Sequence, residues 1–245
     1  MNLLICNAIF LLSKVVIGSL LHLMPIGLAI LAGGLFINYF RNNGNSLQQK
    51  RVIHIFACFI SSIVIINDTY KISSGNYNLA TDLPFHLCSL LGLTIPLFTY
   101  YKKYWMYEIL LFWIVGGTLQ AVITPDVVND TSSLDYYRYW FVHLGLLIVV
   151  FYATFVFHMR PVFKSVVKSF LALQVYVIAM VLINYIFNSN YFYLNEKPVT
   201  ASLLDYFGEW PYYILVGQLI IFPYFVLIYL PFYLKSKTKK KTQVI

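Results

Sequence analysis

The 245-residue chain is predicted to be all-α: a polytopic membrane helical bundle of about seven transmembrane helices, N-terminus outside and C-terminus inside. Three observations predict it. Apolar residues make up 60% of the sequence, aromatics 18% and charged residues only 11%, with a mean hydropathy of +0.74, far from a soluble domain. Apolar runs of about 20 residues recur, the length that crosses a bilayer as a helix. The bases are segregated: if the N-terminus is outside, the inner segments hold Arg41, Lys50, Arg51, Lys102, Lys103, Arg160, Lys164, Lys168 and the Lys235–Lys241 cluster, 13 of the 17 Lys and Arg.

Taken in order, residues 1–14 are apolar but lack a basic start and a small-residue cleavage site, so they read as an interfacial lead-in rather than a cleaved signal peptide. The first span, 16–39, runs from Lys14 to Arg41, and the second, 52–70, follows Lys50-Arg51. The third, 83–101, enters from outside with Thr81 or Asp82 as N-cap and Pro84 in the first turn, where a missing N–H costs nothing. The fourth, 105–124, returns to the outside and stops at Thr124-Pro125-Asp126. The fifth, 139–158, descends from a Tyr139-Trp140 belt; the sixth is 165–187 and the seventh 211–234, ending in the basic tail 235–245. No linker, repeat or low-complexity run divides the chain, so 1–245 reads as one membrane domain of a multi-pass cell-membrane protein. The formal charge of +8 is explained by topology, and no nucleic-acid partner is implied.

Ionisable groups inside a membrane are functional candidates by default. Thr81-Asp-Leu-Pro-Phe-His-Leu-Cys-Ser-Leu90 sets His86 and Cys88 just inside the third helix, Cys88 about five residues, or roughly 8 Å, below its start. His143 reaches a similar depth on the fifth helix, Gln120 lies about 6 Å down on the fourth and His22 about 12 Å down on the first. These groups form one polar layer in the outer half, and its chemistry is nucleophilic: an imidazole can take a thiol's proton. His86 is about 200° around the helix from Cys88, so His143 is the better partner, with His86 orienting, binding head groups, or serving as base if the helix start is irregular. Oxyanion donors would be backbone amides near Cys88 or Gln120. Asp82 and Asp126 join His22, His86 and Gln120 as head-group candidates.

Plainer readings stand beside these. Cys6 and Cys58 read as packing residues, His54 and His158 as interfacial histidines, and His22, Gln120, Gln174 and Gln218 as interhelical hydrogen-bond residues. Gly33-Gly34 and Gly116-Gly117 mark close helix contacts. No zinc or disulfide pattern and no GxxxxGK[ST] loop is present, so no metal, nucleotide or other cofactor is implied.

Leu83-Pro-Phe-His-Leu-Cys-Ser89 resembles the LPLHLCS signature of the YwaF-like family of bacterial membrane proteins, related to eukaryotic transmembrane protein 164. In register with it, Gly116-Gly-Thr-Leu-Gln-Ala-Val-Ile-Thr-Pro-Asp126, Arg138-Tyr-Trp-Phe-Val-His143 and Asn190–Pro198 with Ala201–Asp205 and Trp210-Pro211 resemble further family segments. His143 is followed by Leu144 and then Gly145, where the family pattern sets a glycine next to the histidine. The animal relative is described as a cysteine-dependent phospholipid acyltransferase, so the resemblance implies Cys88 as nucleophile, His143 as base and membrane lipid as substrate. The alternative is a membrane transporter subunit or a small-molecule or lipid binding protein using the same polar pocket; no inverted repeat supports a transporter. The sequence assigns no oligomeric state.

Overall fold

A computed structural model describes residues 15–127, 133–198 and 202–242. The expected lead-in at 1–14, with Cys6, and also Asp130 and the last three tail residues lie outside the described residues. Among the described residues, seven helices occur where seven spans are expected: α1 Leu20–Asn43, α2 Ser46–Ser73, α3 Leu87–Tyr101, α4 Tyr104–Ile123, α5 Leu134–Phe155, α6 Phe163–Phe187 and α7 Tyr212–Thr242. Six are long and apolar enough to cross a membrane, and α3 is a shorter apolar helix of 15 residues. The chain is therefore a polytopic helical membrane protein. Below, "outer" denotes the side that the lysine bias assigns to the outside.

Local chemistry sets the ends. Gly18 takes a positive φ of +83° and Ser19 caps α1 through the His22 N–H, so the first helix begins at Leu20, four residues later than its apolar run suggests. His22 therefore lies in the first turn rather than deep in a helix. Asn45 and Gln48 form a capping box that carries α2 to Ser46, beyond the apolar limit at 52.

The order of packing places α5 at the centre. It lies against α1, α2, α3 and α4, while α6 covers α4 and α7 covers α6. Between helices in lipid, association depends on close van der Waals fit rather than on release of water. Gly145 provides that fit for α2, since a Cβ there would meet Ile60 Cδ1 at 2.7 Å, and Gly92 does so for α3 on α5, where a Cβ would be 3.1 Å from Val142 Cγ1. Gly33 contacts Ile148 as a close-contact glycine should, at 2.9 Å, but the same reading fails for Gly34, whose Cβ would meet nothing within 4 Å.

One buried acid fastens α4 to α6. Glu108, 2% exposed, accepts from Ser165 Oγ at 2.6 Å and pairs with Lys168. Removing one partner of a buried pair costs about 3–5 kcal/mol, and the partial exposure of Lys168 reduces this to roughly 2–3 kcal/mol. Glu108→Ala is expected to lower the melting temperature of the detergent-solubilised protein, with Glu108→Gln, which keeps an acceptor for Ser165, falling less. Equal melting of Glu108→Ala and the native chain would remove this fastening role.

Candidate active site at the outer end of α3

The third helix starts at Leu87 with His86 as N-cap, so the expected start at 83, capped by Thr81 or Asp82 with Pro84 in the first turn, is corrected. Pro84 disfavours helical geometry at Leu83, and the backbone before α3 is bonded elsewhere. Thr81 and Asp82 N–H donate to Asn78 O, Tyr191 Oη accepts from Leu83 N–H at 3.0 Å and donates to Leu79 O at 2.7 Å, and Tyr176 Oη donates to Phe85 O at 2.6 Å. Irregular backbone at membrane depth survives only where such partners are built in. Burial pushes the Tyr191 phenol up to about 12, so it stays a neutral donor. Tyr191→Phe leaves Leu79 O and Leu83 N–H unpartnered at a cost of about 1–3 kcal/mol each. It is expected to lower both melting temperature and Cys88 reactivity toward a membrane-permeant alkylator; unchanged thiol reactivity would sink its positioning role.

Starting at Leu87 brings Cys88 to the second helical residue. The first α3 ladder bond runs from Leu90 N–H to His86 O, so the amides of Leu87, Cys88 and Ser89 lie ahead of the ladder at the positive end of the helix dipole. The half-buried thiol sits 3.5 Å from Thr118 Oγ1. Thr118 ends a π-helical turn, Ile114–Thr118, inside α4. Glycines hold a helix weakly, and Gly116-Gly117 occupy this turn. Both are close contacts: a Cβ on Gly116 would be 3.0 Å from Phe225 Cε1, and one on Gly117 would be 3.2 Å from Leu87 Cδ2. The π turn thus brings α3, α5 and α7 together at one level.

On α5, Arg138 Nη2 donates to Ser89 Oγ at 2.8 Å, which sets Arg138 and Tyr139 level with Cys88. Val142 meets Gly92 one turn further in, so the His143 backbone is about 5.4 Å deeper than the thiol rather than level with it. The side chain turns back toward that level. His143 Nδ1–H donates to Tyr139 O at 2.6 Å, and the ring stacks on Tyr139 with centroids 4.0 Å apart, drawing the imidazole back toward the outer side. With Nδ1 holding the proton, Nε2 is the basic nitrogen, and it makes no hydrogen bond among the described residues. Cys88 and His143 are not hydrogen-bonded to each other; Arg138 reaches Ser89, the residue after Cys88, and Tyr139 holds the His143 ring.

The other candidates divide. His86 packs its ring on Tyr191 and Tyr193, centroids 5.1 and 5.4 Å away, and Asp126 accepts from Tyr193 Oη at 2.6 Å. Burial, reinforced by the Asp126 carboxylate, pushes the Tyr193 phenol up and keeps it a donor. His86, Tyr193 and Asp126 together form a polar roof over α3. Gln120 reaches only Thr124 Oγ1, at 3.3 Å on its own helix. Asp82 binds Lys71 at 2.9 Å and accepts from Asn78 N–H at 2.8 Å, which holds the loop together. His22 accepts from Gly18 N–H through Nδ1 at 2.9 Å and donates from Nε2 to Val122 O at 2.8 Å, leaving neither nitrogen for a lipid or a metal. Among the described residues no group of three or more His, Cys, Asp or Glu side chains is placed to hold a metal ion.

Residues beyond the sequence candidates also belong here. Arg138 carries a buried Nε with no hydrogen-bond partner among the described residues, while its Nη2 binds Ser89, the residue after Cys88; its position within the Arg138–His143 segment was the available signal. Thr118, Tyr139, Tyr191 and Tyr193 lie within the segments that carry the resemblance, and Tyr176 lies in the sixth span, without any of their hydroxyls being singled out. A second Cys–His pair lies toward the inner end: Cys58 Sγ is 3.7 Å from His54 Nε2, while His54 Nδ1 is 2.9 Å from Thr99 Oγ1. Gln174 and Gln218 bond to each other at 2.9 Å between α6 and α7, as interhelical residues.

A family model described as the TMEM164 family matches residues 16–229. No curated protein and no solved structure matches the chain.

Proposed function

Because the chain belongs to the TMEM164 family, and its half-buried thiol opens a helix whose next residue, Ser89, is held by Arg138, we propose that it is a membrane-embedded acyl-transfer enzyme acting on phospholipid in the outer leaflet of the cell membrane. The observation that carries this reading is the placement of Cys88 at the second residue of α3, with Thr118 at its sulfur.

His143 Nε2 takes the Cys88 proton, directly or through one water, as the sulfur attacks the carbonyl carbon of a lipid ester. The carbonyl oxygen becomes an oxyanion held by amides ahead of the α3 ladder, or by Thr118. The ester C–O bond then breaks, the glycerol oxygen leaves with the proton from His143, and the acyl group remains on Cys88 as a thioester. A lysolipid hydroxyl, or water, attacks that thioester while giving its proton to His143; the acyl–sulfur bond breaks and the thiol recovers its proton. Arg138 meets the lipid phosphate under the roof formed by His86, Tyr193 and Asp126.

The test is intact mass of the purified chain after incubation with phospholipid. An added acyl mass that hydroxylamine removes and prior thiol blocking prevents is the expected result. Absence of any adduct or lysolipid would leave a lipid-binding pocket in place of an enzyme. Arg138→Gln is expected to raise KM for phospholipid about tenfold or more while changing KM for a neutral diacylglycerol little, since a charge-assisted pair is worth roughly 1.5–3 kcal/mol. Equal effects on both lipids would remove the phosphate from Arg138.

A further inference from the structure

An apolar groove of about 410 Å³ runs between α1, the outer end of α4 and α5. Its walls include Ala29, Gly33 and Gly34 on α1, Leu119 and Val122 on α4, and Leu144 through Phe155 on α5. We propose that this groove binds one fatty acyl chain of the phospholipid whose ester is presented to Cys88, and that Gly34 keeps it open. The proposal rests on the acyl-transfer reading for its catalytic meaning.

Three features select that occupant. The lining consists wholly of apolar side chains and glycines, so nothing in it recognises a polar ligand. The groove adjoins the site along the chain: Leu119 follows Thr118, Leu144 follows His143, and Leu147, another lining residue, lies one helical turn below His143. From Leu144 to Phe155 it extends eleven residues along α5, about 16 Å, the reach of a long acyl chain. At its outer end the bond from His22 Nε2 to Val122 O ties α1 to α4.

Gly34 offers the means to test this. A Cβ there meets nothing within 4 Å, so a larger side chain enters the groove without displacing the fold, and Gly27, equally unobstructed but outside the lining, is the matched control. The full chain in phosphatidylcholine vesicles, with a trace of phospholipid carrying a photoactivatable group at the acyl terminus, is irradiated and its labelled peptides are mapped. Labelling of 144–155 should fall about tenfold in Gly34→Phe, the scale at which a filled pocket rejects a ligand. It should hold steady in Gly27→Phe, as should labelling around Val175 and Tyr185, exposed on α6. Gly34→Leu serves if the Phe variant does not fold. Unchanged labelling of 144–155, or an equal fall in Gly27→Phe, overturns the groove. The Cys88 adduct is scored separately on the same samples: groove labelling without any adduct removes the chemistry and keeps the binding site, and an adduct with unchanged groove labelling does the reverse.

Discussion

Cys88→Ala should form no acyl adduct and should lower lysolipid release on the order of a thousandfold or more, the scale of losing a nucleophile outright. The fold should hardly notice. The thiol is half-buried, its one close polar contact is Thr118 at 3.5 Å, and removing a single small group at such a position shifts stability by about 1 kcal/mol or less. Loss of turnover with a preserved melting temperature is thus the expected signature. Cys88→Ser is the poorer variant, because a serine hydroxyl in this setting retains slow chemistry. Lipid turnover that persists in Cys88→Ala would transfer the reaction to another residue, and Cys58, beside His54, would be replaced next.

His143→Asn should lower the rate about 10² to 10⁴-fold, the range of a lost general base. Asn is preferred to Ala because its side-chain amide can still donate to Tyr139 O, where Nδ1–H donates in the native chain, while offering no basic nitrogen in place of Nε2. The pH profile separates this role from a structural one. Without the base, the thiolate must come from bulk titration, so the residual rate should climb about tenfold per pH unit while the thiol remains mostly protonated. A variant within about fivefold of native, with a flat profile, would exclude His143 as base.

Much of this arrangement was legible in the sequence. Seven spans follow from run length and from the position of the bases, because water tolerates neither 20 exposed apolar residues nor lipid a buried lysine. Cys88 and His143 stand out because ionisable groups at that depth are costly. The start of α3 was not legible. Pro84 is compatible with a first helical turn, and the decision against it rests on Tyr176 and Tyr191, roughly a hundred residues away, whose hydroxyls occupy the backbone groups a helix would have used. The same limit hid Arg138, whose bond to Ser89 depends on the register between α3 and α5 set at Gly92. Glu108, though an intramembrane acid, was obscured by the apolar run around it, and its partners Ser165 and Lys168 lie on a different helix.

The π turn of α4 bears on how such a chain can change by insertion and deletion. A π turn holds one residue more than an α ladder needs. Deleting either Gly116 or Gly117 would allow Trp113 to run on into Leu119 as uninterrupted α-helix, with Gln120 through Ile123 keeping their phase against α5. The bundle would keep its spans and their order while Thr118 withdrew from the sulfur. A single codon is therefore enough to remove the turn that carries Thr118 to the Cys88 sulfur while leaving the spans of this membrane domain in their order.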